Sequence, residues 1–300
     1  MSMRIMLLMG LMMATLVPQA QAKEPAIHRA VIADRAPDAA NPPGLSAFVI
    51  PSGDGAMNAV MYTAAGRGPH PTLLLLHGFP GNEQNLDLAQ AARRGGWNVL
   101  TLHYRGSWGS PGIFSFTHAA QDAHAALAFL RDPATVAKYR IDPAYVAVAG
   151  HSMGGFMAAD AAADDPRIAG LFLIDPWDPA QTAAELSTPE GEAAWKAEVA
   201  GDLPPLNGAT YDMLTGEMTG DTARFDLRRR VIAYGQRPLV LIGAEKGLAP
   251  MVRTVAADAQ SAGTAAELSV WPTDHSFSDR RIALADALLR WLDRVAPPLP

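Results

Sequence analysis

The sequence predicts an α/β protein, a mostly parallel, doubly wound sheet with helices on both faces and a small helical lid inserted between residues 176 and 235. Three observations carry that prediction. Unbroken apolar runs such as Leu73-Leu74-Leu75-Leu76 and Ala169 to Ile174 read as strands covered on both faces. These runs alternate with segments whose apolar residues recur at helical spacing, the pattern of a parallel sheet with crossover helices. Val146 to Met157 then passes from a buried strand through Gly150-His151-Ser152-Met153-Gly154 into a helix that carries Phe156, Met157 and Ala161 on one side.

Taken in order, the first 22 residues read as a signal peptide. Arg4 is a short positive start, Ile5 to Val17 form an apolar run, and Ala20-Gln21-Ala22 precedes Lys23 as a small-x-small cleavage pattern. A periplasmic or secreted protein, cleaved after Ala22 and without stable membrane association afterwards, is therefore expected. Residues 23–45 carry several prolines without periodicity and read as a flexible lead-in to a domain over 46–300. Ser46 to Ile50 and Met57 to Thr63 are two strands joined by the turn-rich Pro51 to Gly55, which suggests an antiparallel hairpin.

The Leu73–Leu76 strand ends in His77-Gly78-Phe79-Pro80-Gly81, followed by a helix near Glu83 to Arg94 that Gly95 and Gly96 stop. Trp97 to His103 is the next strand, and the glycine-rich loop Tyr104 to Gly112 is expected to line a pocket. Ala119 to Arg131 reads as a helix ended by Pro133. Between Pro176 and Gly235 the alternation stops. Thr188 with Pro189 signals one helix there, and Thr222 to Tyr234 a second. A lid of this kind shapes and dries a pocket, and its acidic residues, among them Glu185, Glu198 and Asp202, read as its wet face. Pro238 to Ile242 and Glu267 to Trp271 are the last strands, and Arg281 to Leu292 the last helix.

Ser152 is the candidate nucleophile. A serine at the apex of a tight strand-to-helix turn sits in strained backbone, and Gly150 and Gly154 let strand and helix approach. The helix that starts there aims free N–H groups and a positive dipole end at whatever Ser152 attacks. A serine hydroxyl is a weak nucleophile near neutral pH, so it needs a base and a group that orients the base. His275, just past the last strand, stands where such a base belongs.

Together these residues resemble the α/β-hydrolase superfamily, and within it the dienelactone-hydrolase and prolyl-oligopeptidase-like branch. The resemblance rests on His77-Gly78-Phe79-Pro80-Gly81, Tyr104-Arg105-Gly106-Ser107, Gly150 to Gly155, and Asp274-His275-Ser276-Phe277, in family order over residues 46–294. It implies Ser152 as nucleophile, His275 as base, and an oxyanion hole made by the backbone amides of Met153 and Phe79, since Pro80 has no N–H. It also implies an acid a few residues after the Pro238–Ile242 strand. Lys246 occupies that position here, so Glu245 is the nearest candidate, with Asp175 and Asp178 after the preceding strand as alternatives. Phe79, Trp108 and Trp177 are expected beneath the lid as pocket-lining side chains.

The chain has no cysteine, which excludes disulfides and the thiol nucleophile of dienelactone hydrolases proper, and it has no room for the propeller domain of prolyl oligopeptidases. A formal charge of −6 gives no support for nucleic-acid binding. No cofactor or metal motif emerges: His118 and His124 are six apart on a helix, and no Gly-x-Gly-x-x-Gly leads into one. The expected activity is an exported serine hydrolase acting on a small-molecule ester, thioester or amide through an acyl-enzyme. A weak or inactive hydrolase-fold binding protein, and a cofactor-free perhydrolase on the same residues, are the alternatives.

Overall fold

The computed structural model describes residues 26–296, so the expected leader at 1–22 lies outside the described residues. A hairpin of β1 (Gly44–Ser52) and β2 (Gly55–Thr63) opens the sheet at one edge. The remaining strands are β3 (His70–Leu76), β4 (Asn98–His103), β5 (Ile141–His151), β6 (Ile168–Ile174), β7 (Leu239–Lys246) and β8 (Ala266–Asp274). The sheet order is β1-β2-β4-β3-β5-β6-β7-β8, antiparallel from β1 to β4 and parallel from there on.

Period-two alternation explains why the central strands are apolar without a break. In β3, Leu74 and Leu76 face one core while Leu73 and Leu75 face another; in β5, Val146 and Val148 oppose Ala147 and Ala149 in the same way. The first core is closed by α3 (Phe116–Arg131), α5 (Met153–Asp164), α9 (Leu227–Tyr234) and α10 (Ala249–Ser261). The second is closed by α2 (Leu86–Arg94) and α11 (Arg281–Val295). These are the two helical layers that the sequence predicts.

Several expectations change. Pro133 does not merely end α3: Asp132 caps a further helix, α4 (Pro133–Tyr139), with the proline at its first position, where a missing N–H costs nothing. Part of the lead-in is held rather than loose. The short α1 (Arg29–Ile32) packs on α2 and α11, and Arg94 Nε donates to the Ala30 carbonyl at 2.6 Å. Residues 176–235 hold four helices instead of two: α6 (Pro179–Glu185), α7 (Pro189–Asp202), α8 (Tyr211–Gly220) and α9. Thr188 caps α7 as expected, its hydroxyl accepting from Gly191 N at 3.1 Å. The second expected helix starts only at Leu227, because Asp226 caps it, and it packs on α5 and α10 as part of the body. The cap over the strand ends is thus built from α6, α7 and α8.

Candidate active site

β5 delivers Ser152 to the carboxyl edge of the sheet, and the elbow has the strain its sequence implies. Ser152 has φ 56° and ψ −123°, a left-handed backbone that costs a serine about 1–3 kcal/mol. The surroundings hold it there. Its N–H donates to the Ile174 carbonyl at 3.0 Å, and its carbonyl accepts from Trp177 N at 3.0 Å. Gly154 is required by close approach, since a Cβ there would overlap the Leu76 and His77 carbonyls. The Met153 amide opens α5 and so has no carbonyl within the helix to reach.

The loop after β3 supplies a second amide. His77 Nδ1 lies 2.7 Å from the Gly78 carbonyl oxygen, and a carbonyl only accepts, so Nδ1 carries the proton. In a trans peptide the N–H points opposite to the C=O, so holding that carbonyl on His77 turns the Phe79 N–H away from His77. This N–H has no protein partner among the described residues. Burial pushes His77 down to about 4, so the ring stays neutral and keeps that tautomer near pH 7. The sequence reading missed His77. Its signal was the buried histidine that ends an apolar strand directly before a glycine.

His275 follows β8, and its Nδ1 lies 2.6 Å from Oδ2 of Asp175. Asp175 is fully buried at the end of β6, and its carboxylate also accepts from Ala244 N at 2.8 Å and Leu248 N at 2.9 Å. Its backbone is left-handed, φ 40°, and its N–H donates to the Ile242 carbonyl at 2.6 Å. The side chain therefore turns under the end of β7 to reach the histidine. Gly247 makes room, because a Cβ at that position would overlap Asp175 Oδ2 and lie 3.1 Å from His275 Cα.

Glu245, the nearest candidate for the acid by sequence count, is not the partner of His275. β7 runs on to Lys246, and pleating places Ala244 in the core and Glu245 in solvent. Asp178 is not the partner either. It caps α6, accepts from Ala180 N and Leu227 N, and burial raises its carboxyl above the usual range. Asp274, at the end of β8, accepts from Ser278 N and so caps the turn that follows.

Ser152 and His275 open into one cavity of about 650 Å³. Phe79 and Trp177 line it, as expected, and so does Trp195, which stacks on Trp177 with ring centroids 5.8 Å apart and an interplanar angle of 17°. Trp108 does not. It is exposed, and its indole N–H donates to the Pro80 carbonyl at 2.9 Å, so it braces the Phe79 loop from outside. The Tyr104–Gly112 loop as a whole is a brace rather than a wall: buried Arg105 is bonded to Asp122 and reaches Asp54. Glu185, Glu198 and Asp202, read as the wet face of the cap, line the cavity together with Glu83, and among the described residues no lysine or arginine lines it. Burial raises the Glu198 and Asp202 carboxyls, and for Glu198 the neighbouring Asp202 adds to the effect.

Residues 71–212 match the model of the alpha/beta hydrolase fold family. The chain has the fold of the α/β hydrolases. An esterase of Pyrobaculum calidifontis superposes with a TM-score of 0.62 at 20% identity, covering 84% of this chain and 85% of that one. The α/β hydrolase GrgF from Penicillium sp. sh18 gives 0.63 at 17% identity, covering 84% and 98%. The carboxylesterase EstE1, cloned from a metagenomic library, gives 0.62 at 20%, covering 87% and 91%. In sequence, the sn-1-specific diacylglycerol lipase ABHD11 of Xenopus tropicalis is 30% identical over 142 residues. That match spans 46% of this chain and 42% of the lipase, less than half of either. These likenesses support a hydrolase and do not specify the dienelactone-hydrolase or prolyl-oligopeptidase branch.

Proposed function

We propose that this protein is a serine hydrolase of the α/β-hydrolase family that cleaves a carboxylic ester through an acyl-enzyme on Ser152, with His275 as general base and Asp175 as the acid that orients it. The observation that carries the reading is the His275–Asp175 hydrogen bond at 2.6 Å in the same cavity as a strained Ser152. With Nδ1 committed to Asp175, His275 Nε2 is the nitrogen left to take a proton. The Ser152 hydroxyl adds to the ester carbonyl as Nε2 accepts its proton. The Phe79 and Met153 amides would hold the oxyanion. Collapse of the tetrahedral adduct transfers the proton from Nε2 to the departing alcohol. Water, deprotonated by the same nitrogen, then releases the acid and restores Ser152.

Lys246 at the usual acid position is what would favour a binding protein; the Asp175 carboxylate on the His275 ring supports the enzyme reading instead. Initial rates on a panel of p-nitrophenyl esters test the reading: the wild type turns over at least one, and Ser152→Ala and His275→Ala each lose about three orders of magnitude or more. Absence of turnover across the panel, with ligand-dependent thermal stabilisation, would favour the binding protein. Export is proposed on residues 1–22. N-terminal sequencing of the protein from its native cells should begin at Lys23, and an intact Met1 would refute it.

A further inference from the structure

We propose that His151 is a positioning residue that ties the base-bearing loop to the nucleophile elbow; the inference rests on the serine-hydrolase reading above. The residue beside the nucleophile in an elbow needs only to fit the turn, and a small side chain would suffice. Here it is an imidazole, buried to 4% exposure, whose Nε2 lies 2.8 Å from the backbone carbonyl oxygen of His275. The two residues are 124 apart in sequence. The carbonyl accepts, so Nε2 is the protonated nitrogen, and the buried Nδ1 is left without a protein partner.

That arrangement has a geometric consequence. His275 is held at its ring by Asp175 and at its own backbone by His151, so both its orientation and its distance from the elbow are set. One peptide bond separates the His151 Cα from the Ser152 Cα, so movement of the His275 loop relative to the elbow must break the hydrogen bond. A displacement of about 1 Å between reacting groups costs on the order of a hundredfold in rate. The β8–α11 loop has few other ties of this kind to the elbow: β8 is the edge strand, and three parallel strand pairings lie between it and β5.

The ring is also suited to sit beside a base. Its centroid is 4.6 Å from that of His275, and burial together with the charge of a protonated His275 pushes His151 down to about 3. It stays neutral while His275 takes and returns a proton, so it can pack against the base without opposing its charge.

Two substitutions separate positioning from packing. His151→Leu keeps most of the volume and removes the donor, whereas His151→Gln places an amide N–H near the position of Nε2. We expect the leucine variant to lose about ten- to a hundredfold in kcat with KM within twofold of wild type, and the glutamine variant to recover most of that loss. Fluorophosphonate labelling of Ser152 should slow in parallel. If the leucine variant is unstable, the glutamine variant alone decides: kcat within about fivefold of wild type supports the tie. A folded leucine variant with wild-type kcat, or a glutamine variant as slow as the leucine variant, would overturn the inference. Wild-type protein that is not labelled at Ser152 at all would instead overturn the hydrolase reading, so the two failures are distinguishable.

Discussion

Asp175 is the residue on which the site turns. Its carboxylate accepts two backbone amides and the His275 ring, and its own backbone is strained to reach them. Asp175→Asn keeps the shape and offers the ring a wrong hydrogen-bonding partner in half of its orientations, so kcat should fall by about 10³–10⁴, with Glu245→Gln near wild type. Comparable losses for the two variants, measured on one ester, would contradict the assignment. Gly247→Ala should also be slow, by about a hundredfold, because its methyl would push on the Asp175 carboxylate and the His275 backbone together. Wild-type turnover in that variant would mean the close approach does not matter.

At the scale of elements, the cap supplies much of the cavity's lining. α7 brings Trp195, Glu198 and Asp202 to the cavity, α6 brings Glu185, and the loop after β3 brings Glu83. Glu198 and Asp202 stand four apart on one helix and carry like charge, an arrangement that destabilises α7 by a few tenths of a kcal/mol. On the ester-hydrolase proposal, an ester bearing a free carboxylate would meet this field and be repelled. We predict that a neutral ester is turned over with a higher kcat/KM than its carboxylate-terminated analogue of equal length, by about tenfold, and that Glu198→Gln with Asp202→Asn narrows the gap. An unchanged ratio would show that these carboxylates do not face the bound substrate.

The sequence made the strands, the elbow and the place of His275 legible, because each leaves a local mark. Two-faced strands are apolar throughout, Ser152 stands between glycines, and His275 follows the last strand. The carboxylate partner of His275 left no such mark. Counting along β7 pointed to Glu245, whereas the answer depended on a left-handed Asp175 passing beneath Gly247, a contact between residues 72 positions apart. Trp108 was misplaced for a related reason: a loop's glycines mark it as irregular without saying which side of the neighbouring loop it supports. Capping signals at Asp132 and Asp226 were present and decided where α4 and α9 begin.

For the whole molecule, two buried neutral histidines make stability depend on pH. In the unfolded chain His77 and His151 take up protons near the ordinary value of 6.5, whereas the folded protein resists until about 4 and about 3. The unfolded state therefore binds more protons between these values, and stability falls as pH drops below about 6.5, by about 2 kcal/mol for each histidine at pH 5. His124, whose hydrogen bond to Asp160 raises it, works in the opposite sense. Urea unfolding at pH 7 and pH 5 should show a clear drop in midpoint, smaller in His151→Gln. A midpoint that does not move would mean that these rings are hydrated.

The most direct test of the account is the covalent intermediate. Protein quenched in acid during turnover of a p-nitrophenyl ester, then digested and weighed, should carry the acyl mass on the peptide containing Ser152, and Ser152→Ala should show neither adduct nor turnover. A Ser152→Ala variant that hydrolyses the ester at the wild-type rate, with no acyl mass on that peptide in the wild type, would contradict it.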